Sequence, residues 1–197
     1  AGLRFSANGA ELAWKRDTLN MYAFHLHIPE GAHTLQAEYQ FLNPTNETQG
    51  RITVTNEILG VQWNTVALYP AGHHASLIQY QADLILPKDW HYASALKLAA
   101  RDGNKVSFKP VSLEELIDSP VFAGKYFKRI DLNPGASVPV HLNVVADKPS
   151  SLEASPEQIG AHQALVQQAY KLFDAVHYGS YDFLLALSDE FSSIGLE

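Results

Sequence analysis

His33-Thr34-Leu35-Gln36-Ala37-Glu38-Tyr39-Gln40-Phe41-Leu42 alternates apolar and polar side chains without a break. Leu35, Ala37, Tyr39 and Phe41 fall on one side and Thr34, Gln36, Glu38 and Gln40 on the other, the period of a half-buried strand. Residues 21–28 repeat the pattern, with Tyr22, Phe24, Leu26 and Ile28 directed inward. Further β-rich runs span 51–58, 61–69, 77–86, 105–108, 126–132 and 137–145. Turn formers such as Pro29-Glu30-Gly31, Pro70-Ala71-Gly72, Asp102-Gly103-Asn104 and Asn133-Pro134-Gly135 separate them. Short strands at this spacing predict a mainly β chain whose residues 1–147 form an N-terminal β-sandwich. One helical turn interrupts it, since Ser112 and Glu115 have capping-box spacing ahead of Leu116 and Ile117.

The pattern changes at Lys148-Pro149-Ser150-Ser151, and residues 148–155 read as a linker. Ser155-Pro156-Glu157-Gln158 then starts a helix, with a Ser N-cap, Pro at the first position and Gln three after the cap. Ile159, His162, Val166, Ala169, Phe173 and Val176 step by three and four, predicting one buried stripe flanked by Leu165 and Leu172, with Gly179 as the stop. Tyr181-Asp182-Phe183-Leu184-Leu185-Ala186-Leu187 follows as a strand apolar on both faces. Residues 156–197 thus read as the first helix and strand of a second, truncated α+β domain. The chain as a whole, already strand-like at Ala1-Gly2-Leu3-Arg4-Phe5, is expected to be a fragment of a larger protein.

Composition narrows the function. Among 197 residues 46% are apolar and 18% charged, which is globular rather than disordered. The net charge is −7, and the 14 Lys and Arg are scattered, so neither a nucleic-acid surface nor an anionic membrane surface is expected. No apolar stretch is long enough for membrane insertion. Peptides, sugars and small molecules stay open as partners. Without cysteine there is no disulfide, thiolate metal site or Cys nucleophile. Compartment stays open between cytoplasm and periplasm or secretion, and the sequon Asn46-Glu47-Thr48 matters only in a source that glycosylates secreted proteins.

No His-Glu-x-x-His, Gly-x-Ser-x-Gly, phosphate loop or dinucleotide glycine fingerprint occurs, so self-contained catalysis and a metal site are not expected in this chain. His25 and His27 share one strand face and would suit one metal, but they lie on the outward side, where solvated histidines are commoner than ligands. His73-His74 sits in a loop, and His162 is expected in the core of the helix stripe. Trp14, Trp63, Trp90, Tyr92, Tyr22 and Tyr69 would make a sugar-stacking platform only if several shared an exposed face, whereas strand aromatics are usually core.

Three segments carry a resemblance. They are Trp63-Asn64-Thr65-Val66-Ala67-Leu68-Tyr69-Pro70-Ala71-Gly72, then Val111-Ser112-Leu113-Glu114-Glu115-Leu116-Ile117-Asp118-Ser119-Pro120-Val121-Phe122-Ala123-Gly124, and residues 156–197. Together the chain resembles the N-terminal region of the glycyl aminopeptidase family of zinc metallopeptidases, whose members usually carry a PDZ domain. The resemblance implies an N-terminal β-domain packed on its own thermolysin-like catalytic domain, with zinc in the full-length protein and a peptide as substrate. Zinc there is held by a His-Glu-x-x-His helix and a downstream Glu, none of which is in this chain. Gly195, Leu196 and Glu197 match the family's Gly-Gly-Leu-Glu-His-like substrate-binding segment, while Ser193 and Ile194 depart from its start. A carboxylate at Glu197 suits the capture of a protonated α-amine, which an internal amide cannot imitate. The alternatives are a stand-alone β-sandwich module binding sugar or protein, and a scaffold from a catalytically dead relative.

Overall fold

Asn8 and Gly9 both take positive φ, so the chain reverses there and β1 (Arg4–Ala7) pairs antiparallel with β2 (Ala10–Leu12). The computed structural model describes residues 1–191. β3 (Trp14–Arg16) and β4 (Phe24–Leu26) form a separate hairpin, and β5 (Gln36–Glu38) joins the other edge of β1. Phe5, buried, meets Trp14 edge-on at 6.2 Å between ring centroids, and Trp14 meets Phe24 likewise at 5.4 Å. These elements make a compact unit, Ala1–Asn43. The alternation at 33–42 yields only three paired residues, and Leu35 and Phe41 on its apolar side stay 42% and 49% exposed. Tyr22, expected inward, lies in the hairpin turn and is 83% exposed.

The second unit, Pro44–Glu197, is built from small sheets. Its first part contains β6 (Ile58–Val61), α1 (Trp63–Val66), β7 (Gln79–Tyr80), β8 (Asp83–Ile85) and β9 (His91–Ala93). β10 (Leu98–Asp102), β11 (Lys105–Phe108), β12 (Val111–Ser112), α2 (Leu113–Ile117) and β13 (Val121–Gly124) follow. They pair antiparallel in the orders β6-β13-β9, β10-β11-β8 and β12-β7. Val106, Phe108, Leu113, Leu116, Val121 and Ala123 form the centre of one core. Ser112 caps α2 as its spacing predicts, accepting from Glu115 N.

Two β-rich runs do not become strands. Residues 61–69 turn helical after Val61, because the Trp63 indole is drawn into the core and its Nε1–H donates to Ser119 O at 2.8 Å. Residues 51–58 contribute one isolated bridge, Val54 with Leu59, before Thr55 Oγ1 accepts from Glu57 N and Ile58 N and turns the chain. The mainly β character stands, as small antiparallel sheets with few helices.

The remaining elements form a mixed sheet. β14 (Tyr126–Asp131) and β15 (Val140–Ala146) make an antiparallel hairpin whose turn is tied by buried Asn133, which accepts from Val140 N and donates to Val138 O. α3 (Pro156–Phe173) then crosses over and returns the chain as β16 (Tyr181–Leu187), parallel to β15. Ser155 caps α3 with the full reciprocal box, and Pro156 stands at the first position, as read from the sequence. Val166, 4% exposed, packs with Leu132, Val140, Leu142 and Val144, so α3 covers one face of the sheet. Burying such a side chain contributes about 1.5–3 kcal/mol.

β15 and β16 stand on opposite sides of the expected linker at 148–155, yet they share one sheet. That stretch folds as a 3₁₀ turn over Pro149–Leu152 whose Leu152 packs on the same core and accepts from Lys128 Nζ at 3.1 Å. The helix stops at Phe173 rather than near Gly179, because Asp174 takes the left-handed conformation at φ 45° and donates its N–H to Tyr170 O. His162 is exposed, not core; its Nδ1 lies 2.8 Å from Gln158 O. On the other face of the sheet, β13 approaches closely: a Cβ on Gly124 would meet Glu57 O at 2.9 Å and Val145 Cβ at 3.3 Å.

Candidate functional site

Parallel strands bring their carboxyl ends together, and in α/β sheets this is where ligands are bound. Here Ala146 and Leu187 are register partners, and Asp147 N donates to Leu187 O at 3.2 Å. Asp189 N donates to Asp147 Oδ2 at 2.8 Å, and Lys148 Nζ reaches Asp189 Oδ2 at 2.7 Å. Asp147, Lys148, Ser151, Leu187, Ser188 and Asp189 line a cleft of about 280 Å³. The hydrogen bond and charge of Lys148 hold the Asp189 carboxyl below its usual range, and Asp189 in turn raises the Lys148 ammonium. Both side chains are exposed, so the pair fixes geometry more than it adds stability.

One carboxylate oxygen each of Glu57, Asp147 and Glu190 lie within 4.8 Å of one another. Asp147 Oδ1 is buried without a hydrogen-bond partner. An all-oxygen group of this kind suits a hard cation and lacks the imidazoles of a catalytic zinc. Among the described residues it is the one such grouping of His or carboxylate side chains.

The interior of the mixed sheet carries a polar network. Asn143, 1% exposed, accepts from Arg129 Nε at 2.7 Å and donates to Asp182 Oδ1 at 2.9 Å and Phe183 O at 3.2 Å. Arg129 Nη2 and His141 Nδ1 lie 4.0 and 3.4 Å from Asp182 Oδ1. The His141 contact is not aligned for a hydrogen bond, which leaves that nitrogen buried and unpaired. One residue on β15 thereby clamps both neighbouring strands, and the sequence carried no signal for it beyond a polar residue in an apolar run.

Of the residues singled out from the sequence, Gly195, Leu196 and Glu197 lie outside the described residues. The strand that leads to them, β16, is in place. His25, on β4, and His27, just past its end, are both exposed, and His25 Nε2 is taken by Asp17 Oδ2 at 2.7 Å. Asp17 also accepts from Leu19 N and Asn20 N, and these bonds, that from Asn20 foremost, lower its carboxyl to about 2. The pair stiffens a hairpin. His74 sits in a loop and caps the following 3₁₀ turn, accepting from Ser76 N. Trp63 is buried, and Trp90 and Tyr92 pack against the same core, so half of the conceivable sugar platform is committed to packing.

An aminopeptidase N family protein from Idiomarina loihiensis superposes with a TM-score of 0.73 at 17% identity, over 94% of this chain and 30% of that one. An M1 zinc metallopeptidase from Deinococcus radiodurans gives 0.48 at 15% identity, over 92% and 46%. A variant of the Deinococcus enzyme bound to a Tyr-Ser-Ala substrate gives 0.49 at 16%, over 93% and 46%. The model of the Peptidase M61 N-terminal domain matches residues 1–125, and the chain belongs to that family. The match ends one residue before β14 begins. No curated protein matches the sequence. The chain spans less than half the length of each of these solved structures. Among the described residues no helix is long and apolar enough to cross a membrane.

Proposed function

We propose that this chain is the N-terminal part of a zinc-dependent aminopeptidase of the glycyl aminopeptidase type, which releases small N-terminal residues such as Gly and Ala from peptides. The family match over residues 1–125 carries this reading. In the parent protein the β region flanks the active-site cleft and packs on its own catalytic domain, to which α3 and β16 already belong. Zinc, held by residues beyond this chain, would polarise the scissile carbonyl and activate water. This chain's contribution is to bind and orient. The sheet of β14, β15 and β16 is a rigid support that delivers the segment after β16, where Glu197 would hold the substrate's α-amine. The chain alone, lacking a zinc ligand set and a general base, is non-catalytic.

The test is Glu197→Gln in the parent protein. A neutral amide keeps the shape and loses the charge, so zinc and fold are retained while the KM for free-amine glycyl substrates rises. The expected loss is about 2–3 kcal/mol in kcat/KM, roughly thirty- to a hundred-fold or somewhat more. N-acetylated substrates should be turned over poorly by both forms. Equal efficiency on a glycyl substrate would remove Glu197 from the amine site.

A further inference from the structure

Glu57, Asp147 and Glu190 stand far apart in the sequence and meet because each is tied down at its own backbone. Glu57, just before β6, gives its N–H to Thr55 Oγ1, and its carbonyl is held by Lys125 N at 3.0 Å. Asp147 closes β15 with its N–H on Leu187 O. Glu190 follows β16 in a turn, where its N–H donates to Ser188 Oγ at 3.0 Å. One carboxylate oxygen from each comes within 4.8 Å of the other two. Oxygens that share one calcium ion lie about 2.3–2.6 Å from it, and so up to about 5 Å from one another.

Acidic side chains gather on many surfaces, so proximity alone marks no site. A second observation does. Asp147 Oδ1 is buried and has no hydrogen-bond partner, although Oδ2 of the same carboxylate accepts from Asp189 N at 2.8 Å. A buried carboxylate oxygen left unpaired is costly, and folded proteins meet that cost with a donor, a water or an ion. The neighbouring ammonium groups are engaged elsewhere: Lys148 bonds Asp189 at 2.7 Å, and Lys125 lies over the Tyr126 ring, 5.2 Å from its centroid. Among the described residues no Lys, Arg or His side chain pairs with any of the three carboxylates. Glu57 and Asp147 are half-buried and Glu190 is exposed, so an ion entering from solvent keeps part of its hydration.

We propose that Glu57, Asp147 and Glu190 bind one divalent cation of calcium's kind, with water completing its shell. Donors that are all oxygen select a hard ion over zinc or copper. Calcium is preferred to magnesium because it takes several carboxylates in irregular geometry, whereas magnesium demands a near-ideal octahedron and keeps its waters. The ion would fasten the segment before β6 to the carboxyl ends of β15 and β16. The proposal does not depend on the peptidase reading.

The test is made on the chain of 197 residues, stripped of metal by a chelator and dialysed, by titration calorimetry and by thermal melting at constant ionic strength. One calcium should bind per chain with a Kd between about 10⁻⁵ and 10⁻³ M. Calcium at about 10 mM should raise the melting temperature by at least about 2 °C, and magnesium at the same concentration clearly less. Glu190→Gln alters an exposed side chain and should weaken calcium binding at least about tenfold. Its metal-free melting temperature should be unchanged or higher, since one of three repelling charges is gone. Asp147→Asn keeps an oxygen for the Asp189 amide and should lose calcium binding as well; if it does not fold, Glu190→Gln decides alone. The absence of stoichiometric binding at about 10 mM calcium would overturn the proposal. So would an equal response to magnesium, or a calcium response that survives in Glu190→Gln, either of which would mark general screening of surface charge.

Discussion

Asn143 holds three strands through one carboxamide, accepting from Arg129 on β14 and donating to Asp182 and Phe183 O on β16. Asn143→Ala would leave a nearly buried carboxylate and a guanidinium without their partner, and should cost about 1–3 kcal/mol in a denaturant melt. No loss would mean that water replaces the amide. Asp17 acts through charge at the hairpin surface. Its carboxyl sits at about 2 in the folded chain, against an unfolded value of roughly 3.9. Because the folded value is depressed, the stabilisation is complete above pH ~4 and is lost as pH falls from there through about 2. The gap in melting temperature between wild type and Asp17→Asn should therefore close over that acid window. A gap independent of pH would show that the carboxylate charge is not what ties the turn.

At the scale of elements, local signals were legible and tertiary ones were not. The caps at Ser112 and Ser155 read correctly because a cap is decided within four residues, and β11 at Lys105–Phe108 read correctly because it is bounded by sharp turns. Trp63 failed as a strand residue because the core demands its indole, which no alternation pattern encodes. His162 failed as a core residue because α3 meets the sheet through Val166, and Leu165 and Leu172 are left exposed as well. The joining of β15 to β16 across residues 148–155 is a contact between distant segments, which no local pattern encodes. The strand β16 was legible in the sequence and the Asn143 network beside it was not. The turn at Pro149–Leu152 should consequently resist limited proteolysis, held by Leu152 in the core and by Lys128. Ready cleavage between 148 and 155 that releases a folded β core would show instead that α3 is dispensable to it.

For the whole molecule we propose a division of labour. In that proposal this chain supplies a β region and a mixed sheet that would position a substrate-binding segment, and the metal and the general base would come from elsewhere in the parent protein. Its membership of the Peptidase M61 N-terminal domain family supports that reading. The three carboxylates of Glu57, Asp147 and Glu190 do not alter it, since a donor set of oxygens alone is a poor zinc site. The most direct test is zinc content after exhaustive dialysis, measured side by side on this chain and on the parent protein. The expected result is one zinc per parent molecule and none in the chain of 197 residues. One tightly held zinc in the shorter chain, or none in an intact parent, would contradict it.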